Sequence, residues 1–167
     1  MHVAQLRSGL QTSRERLFAP LGALNEEQFR HVPAGETWSI ATHLAHLLRV
    51  ERTFTERAAL ALSRDEPRSE TTGSVNEGDP ALAQSLAVPQ IVHGMQAARR
   101  ALEDLLARCD DVMLERAILH PRFGRMTVAQ IAEKMAAHER EHAADIERLA
   151  AQAPPTRRVI IPLAQRT

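Results

Sequence analysis

One cysteine, one tryptophan and no tyrosine occur in 167 residues, and aromatic side chains make up only 3% of the chain. The lone thiol, Cys109, can close no disulfide within the chain and build no cysteine cage around zinc, which fits a reducing compartment. Charge of either sign is not in excess. Lysine plus arginine and aspartate plus glutamate each total 21, and no dense basic block tracks a phosphate backbone, so a nucleic-acid partner is not expected. Apolar runs such as residues 58–62 fall far short of the roughly 20 residues that cross a bilayer, and no membrane span is expected. His2, Gln5, Arg7 and Ser8 stand where a secretory signal needs unbroken apolar residues, so the expected compartment is the cytoplasm.

What is present is ordinary globular material, 44% hydrophobic and 25% charged at about the length of one domain, with eight histidines as the unusual feature. Abundant Ala, Leu, Arg, Glu and Gln lose little rotamer freedom in a helix, so the expected class is all-α.

Val3, Leu6, Leu10 and Leu17 share one helical face over residues 3–17. Asn25 with Gln28 has the form of a capping box and opens a short helix before the breaker at residues 32–35. Ser39 caps a long helix over residues 40–63, with Ile40, Leu44, Leu47, Phe54, Ala58 and Leu62 on its apolar face. Residues 65–80 are rich in Pro, Gly, Ser and acid and read as a long exposed loop. The third long helix carries Ile91, Met95, Ala98, Leu102, Leu105 and Leu106 and runs to Cys109, with Pro89 kinking it or standing in its first turn. After a connection through residues 120–124, Thr127 and Gln130 make a second capping box for a helix lasting to about Ala151. Four amphipathic helices with no strand pattern apart from residues 159–163 make a four-helix bundle over residues 1–152, followed by a tail over 153–167.

The inward stripe of the last helix reads Val128, Ile131, Met135, His138, His142, Ile146 and Leu149. Imidazoles at i and i+4 lie one above the other, near enough to bind one cation through their neutral nitrogens. Residues 138–142 also spell the HExxH string of zinc proteases, yet no histidine follows His142 and the strand-rich scaffold of those enzymes is absent. A third imidazole therefore has to come from across the core. Helix two offers His43 and His46, and at roughly 100° per residue the first lies inside the apolar arc and the second at its edge, which leaves both open.

Trp38-Ser39-Ile40, the histidine eight residues after the tryptophan in Leu44-Ala45-His46-Leu47, the pair His138 and His142, and the approach through residues 120–127 together resemble the DinB/YfiT-like superfamily of metal-dependent enzymes. The resemblance covers nearly all of residues 1–151. It implies His46, His138 and His142 as ligands of one divalent transition metal, zinc or nickel, in a four-helix bundle that forms a homodimer. It further implies a thiol-dependent S-transferase or a hydrolase acting on a small molecule, with a low-molecular-weight thiol as co-substrate in the first case. The rival from another class is a non-catalytic dimeric module that holds a small molecule in the same cavity.

Around that set, His43 is read as a neighbour bonded to backbone or a carboxylate, and His2, His31, His93 and His120 as surface or loop residues, with His93 able to reach the cavity. Glu139 and Glu51 are candidates for proton transfer or for ion pairs, and Asp145 for orienting an imidazole. Cys109 lies beside Asp110 and Asp111, whose charge raises a thiol pKa, so it is not expected to be a nucleophile. Trp38 is read as the staple that fixes the entry of helix two or as a wall of the cavity. Arg99, Arg100, Arg122 and Arg125 are read as a solvated face, or as binders of a substrate carboxylate.

Overall fold

The computed structural model describes residues 2–70 and 78–155. The strand-like run at residues 159–163 lies outside the described residues. Four long helices, α1 (Val3–Phe18), α3 (Ile40–Ser63), α5 (Val88–Leu106) and α6 (Val128–Ala151), form the bundle. α1 packs against α6, α3 against both α5 and α6, and α1 touches α5, which closes the bundle around one core. The short helices α2 (Glu26–Arg30) and α4 (Pro80–Ser85) lie in the connections.

Local chemistry sets the ends. Asn25 accepts the amide of Gln28 at 2.9 Å while the Gln28 side chain accepts the amide of Asn25, and Thr127 and Gln130 do the same at the head of α6. Ser39 Oγ accepts the Thr42 amide at 3.2 Å and starts α3. Pro89 stands in the first turn of α5, where its missing N–H costs no helical bond.

The all-α expectation needs one addition. β1 (Ala117–His120) and β2 (Gly124–Thr127) form an antiparallel hairpin in the connection before α6, with Ala117 opposite Thr127 and His120 opposite Gly124. Gly124 has φ +68, a conformation that other residues adopt at a cost, and this allows the three-residue turn. Residues 67–69 add a short parallel edge: the Leu119 amide donates to the Pro67 carbonyl at 2.9 Å, and the Ser69 amide to the Leu119 carbonyl at 3.1 Å. The exit of α3 is thereby tied to the hairpin.

The bundle centre is not wholly apolar. Arg14 of α1, Glu51 of α3, Arg99 of α5 and Glu139 of α6 form a buried ring of alternating charge, with Arg14 bonded to both acids at 2.5 Å and Arg99 to Glu51 at 2.5 Å and Glu139 at 2.9 Å. Ser13 Oγ donates to Glu139, and the spare guanidinium hydrogens go to the carbonyls of Met95 and Leu10. Burial of four charges costs several kcal/mol each unless every one is paired and hydrogen-bonded, and here they are. Arg99 is therefore a core residue, contrary to the solvated face expected of it, whereas Arg100, Arg122 and Arg125 are exposed.

Candidate metal centre

The caps at Ser39 and Thr127 fix where the histidines fall. His43 and His46 lie in the first two turns of α3, and His138 and His142 in the middle of α6, which packs alongside it. His46 Nε2 lies 3.0 Å from His138 Nε2, which lies 3.2 Å from His142 Nε2. One nitrogen from each of these three rings falls within 4.8 Å of the others. Two imidazole nitrogens held by one ion at about 2.05 Å are separated by about 2.9 Å at right angles and about 3.3 Å at the tetrahedral angle. The His46–His138 and His138–His142 spacings lie within that interval, and the third pair lies within 4.8 Å, so the three rings could hold a single late transition ion.

Burial supplies the protonation state such an ion needs. His142 is pushed down to about 3, first by desolvation and then by the neighbouring His138, His43 and His46. His43 is pushed down to about 4 by desolvation, with Asp145 opposing in part. His138 is also lowered by burial, against the pull of Glu141. His43, His138 and His142 are therefore neutral at physiological pH.

His43 does not point to the three converging nitrogens but hydrogen-bonds His142, Nδ1 to Nδ1 at 2.7 Å. Its partner is thus a histidine, not the backbone or carboxylate expected. Asp145, expected to orient an imidazole, is ion-paired to Arg148 at 3.1 Å. It also joins His43 and His142 in a second grouping of ligand-type atoms that shares His142. The carboxylate beside a ring nitrogen of the main set is Glu141, 3.6 Å from His138 Nδ1; its i,i+3 spacing from His138 was the available signal in the sequence.

Trp38 covers the cluster. Its indole lies 4.9 Å from the His43 ring, 5.1 Å from His46 and 5.8 Å from His142. It is both staple and wall, because it sits one residue before the cap and His43 at the fourth helical position is its contact. Gly78 lies against the outer side of the indole, where a β-carbon would come within 2.6 Å of it.

Other residues fall elsewhere. Glu139 and Glu51 face the bundle axis within the charge ring, so the glutamate of the HExxH string is bound to two arginines and is not a free base. His2, His31 and His93 are exposed. His120, expected on the surface, is 5% exposed because its Nδ1 accepts the amides of Arg122 and Phe123 inside the hairpin turn. Cys109 is raised by burial and by Asp110. His138, the most exposed of the three converging rings, borders a cavity of about 200 Å³ between Phe54 of α3, the hairpin tip and α6.

The sequence matches the DinB superfamily over residues 10–146. Two solved structures share the fold. YfiT from Bacillus subtilis, a probable metal-dependent hydrolase with an unusual four-helix bundle topology, is 16% identical with a TM-score of 0.68, over 90% of this chain and 86% of that one. TT2238, a four-helix bundle protein, is 17% identical with a TM-score of 0.63, over 87% of this chain and 98% of that one. No curated protein sequence matches.

Proposed function

The chain belongs to the DinB superfamily, and from that premise we propose that it is a metal-dependent enzyme holding one divalent ion, zinc or nickel, on His46, His138 and His142. The observation that carries this reading is the convergence of three imidazole Nε2 atoms at 3.0 and 3.2 Å beside a cavity. Three protein nitrogens leave coordination positions open, which distinguishes a catalytic ion from a structural one. A bound ion there supplies Lewis acidity and favours the deprotonated form of a water or thiol.

The residues around it do the rest. With His142 Nε2 turned inward as a lone pair, its Nδ1 carries the hydrogen and donates to His43, which fixes tautomer and ring orientation. Glu141 stands at the corresponding side of His138. Trp38 excludes water from one side of the cluster, so substrate reaches the centre along the side that His138 borders.

Hydrolysis is the form of the reaction supported by the likeness in fold to a probable metal-dependent hydrolase. Thiol-dependent transfer is the second form, since the same open positions accept a thiolate. Metal analysis of protein purified without an affinity tag tests the reading, followed by turnover of ester and amide panels against panels of thiols with electrophiles. A bound equivalent with turnover of either panel supports it; protein that takes up no late transition ion overturns it.

A further inference from the structure

Two cations, Arg122 and Lys134, line the cavity beside His138, a third, Arg57, packs on its Phe54 wall, and none of the three is in an ion pair among the described residues. Arg122 and Lys134 line the cavity, each packed on the ring of Phe123, with the guanidinium carbon 5.5 Å and the ammonium nitrogen 4.5 Å from its centroid. Arg57, one turn along α3 from Phe54, lies 5.7 Å from that ring. It is only 6% exposed, and its Nε is the one buried side-chain polar atom left without a hydrogen-bond partner among the described residues.

A buried guanidinium with an unused donor is expensive, and natural structures rarely keep one without a purpose. The arginines of the bundle centre show how this chain handles buried charge elsewhere, with every guanidinium nitrogen hydrogen-bonded. The contrast marks the Arg57 side of the bundle as a site lacking an anion. Burial lowers the Arg57 pKa, with Glu56 opposing in part. Burial likewise lowers that of His120, and Arg57, Lys134 and Arg122 lower it further, which places one positive field at the hairpin tip. Glu141 at the rim is already turned to His138.

We propose that this cavity binds the carboxylate of a small organic acid: Arg122 and Lys134 meet it directly, the buried Arg57 on the Phe54 wall adds to the positive field, and Phe54 and Phe123 flank the organic part. The aromatic walls favour an organic acid over bare phosphate, and the guanidinium forks match a planar carboxylate. The identity of that acid as the substrate rests on the metal-dependent reading above, because His138 borders the same cavity; the binding itself does not.

The test is calorimetric titration of chelator-treated protein with benzoate, benzamide and inorganic phosphate. Benzoate is expected to bind saturably and at least tenfold more tightly than either benzamide or phosphate. Arg122→Ala and Lys134→Ala, both at exposed positions, are each expected to weaken benzoate at least fivefold, and Arg57→Met to weaken it by a smaller factor, while Arg16→Ala, an exposed partner of Glu147, leaves it unchanged. Circular dichroism checks the fold of Arg57→Met, and the two exposed variants carry the test if that variant does not fold. No saturable benzoate binding, equal binding of benzamide, a preference for phosphate, or indifference to Arg122→Ala and Lys134→Ala overturns the proposal. Because the protein is stripped of metal throughout, failure here leaves the metal reading standing, and metal analysis of the untreated protein reads that one separately.

Discussion

The Trp38 indole lies almost parallel to the His142 imidazole, with 6° between their planes and 5.8 Å between centroids. The chain's one tryptophan is thus in contact with the proposed metal centre. Copper(II), cobalt(II) or nickel(II) is expected to quench the intrinsic fluorescence with a one-site titration curve, whereas zinc leaves most of the intensity. Steady-state fluorescence of the parent and of His142→Ala checks this, and quenching that survives in the variant removes the assignment.

The ligands and their support separate by magnitude. His46→Ala and His142→Ala are expected to lower bound metal from about one equivalent to nearly none, since two imidazoles hold a divalent ion far less well than three. His43→Ala is expected to keep the ion but weaken it by roughly 10- to 100-fold, the usual effect of removing a group that orients a ligand. Competition with a chromophoric chelator measures both, with exposed His93→Ala as the unchanged control.

Acid sensitivity follows from the same burial. His142 and His43 are neutral in the fold down to about 3 and about 4, while in the unfolded chain they titrate near 6.5. Below pH 6.5 the unfolded state therefore binds more protons, and stability falls as pH drops. Each group contributes a slope of at most about 1.4 kcal/mol per pH unit, until the folded values are reached. Above pH 6.5 these groups add no pH dependence. Thermal unfolding of metal-stripped protein from pH 7.5 to 4.5 is expected to show this loss, and His43→Asn a shallower one; parallel curves for the two proteins sink the assignment.

The ring of buried charge predicts a large stability effect with none on the proposed ligands. Glu139→Gln leaves two buried guanidiniums facing one carboxylate and is expected to cost about 3–5 kcal/mol. That corresponds to a fall in Tm of roughly 6–20 °C at this chain length. Residual folded protein is expected to bind metal with unchanged affinity. A neutral substitution by calorimetry, or loss of metal in folded protein, contradicts the placement of Glu139.

The long helices were legible because their signals are local: caps at Ser39 and Thr127, and apolar residues at three and four. The hairpin was not. Strands of four residues are too short to show alternation, and β1 is buried at Ala117, Ile118 and His120, so both of its faces meet protein. The pair His138 and His142 could be read from periodicity, whereas the choice between His43 and His46 could not, because both are buried and only the direction across to α6 separates them. Glu51 on an apolar arc announced an ion pair without naming its partners, which lie 37 and 48 residues away on other helices. His120 was misplaced because its burial comes from two amides of a turn that the sequence did not reveal.

Each long helix gives one charge to the ring at the bundle centre, so no three of them can pack without stranding a counterion. A helix that slips by one turn would lose both of its ionic contacts at once. The alignment of the rods that forms all four ion pairs, like an index mark, is the one that brings His46 level with His138 and His142.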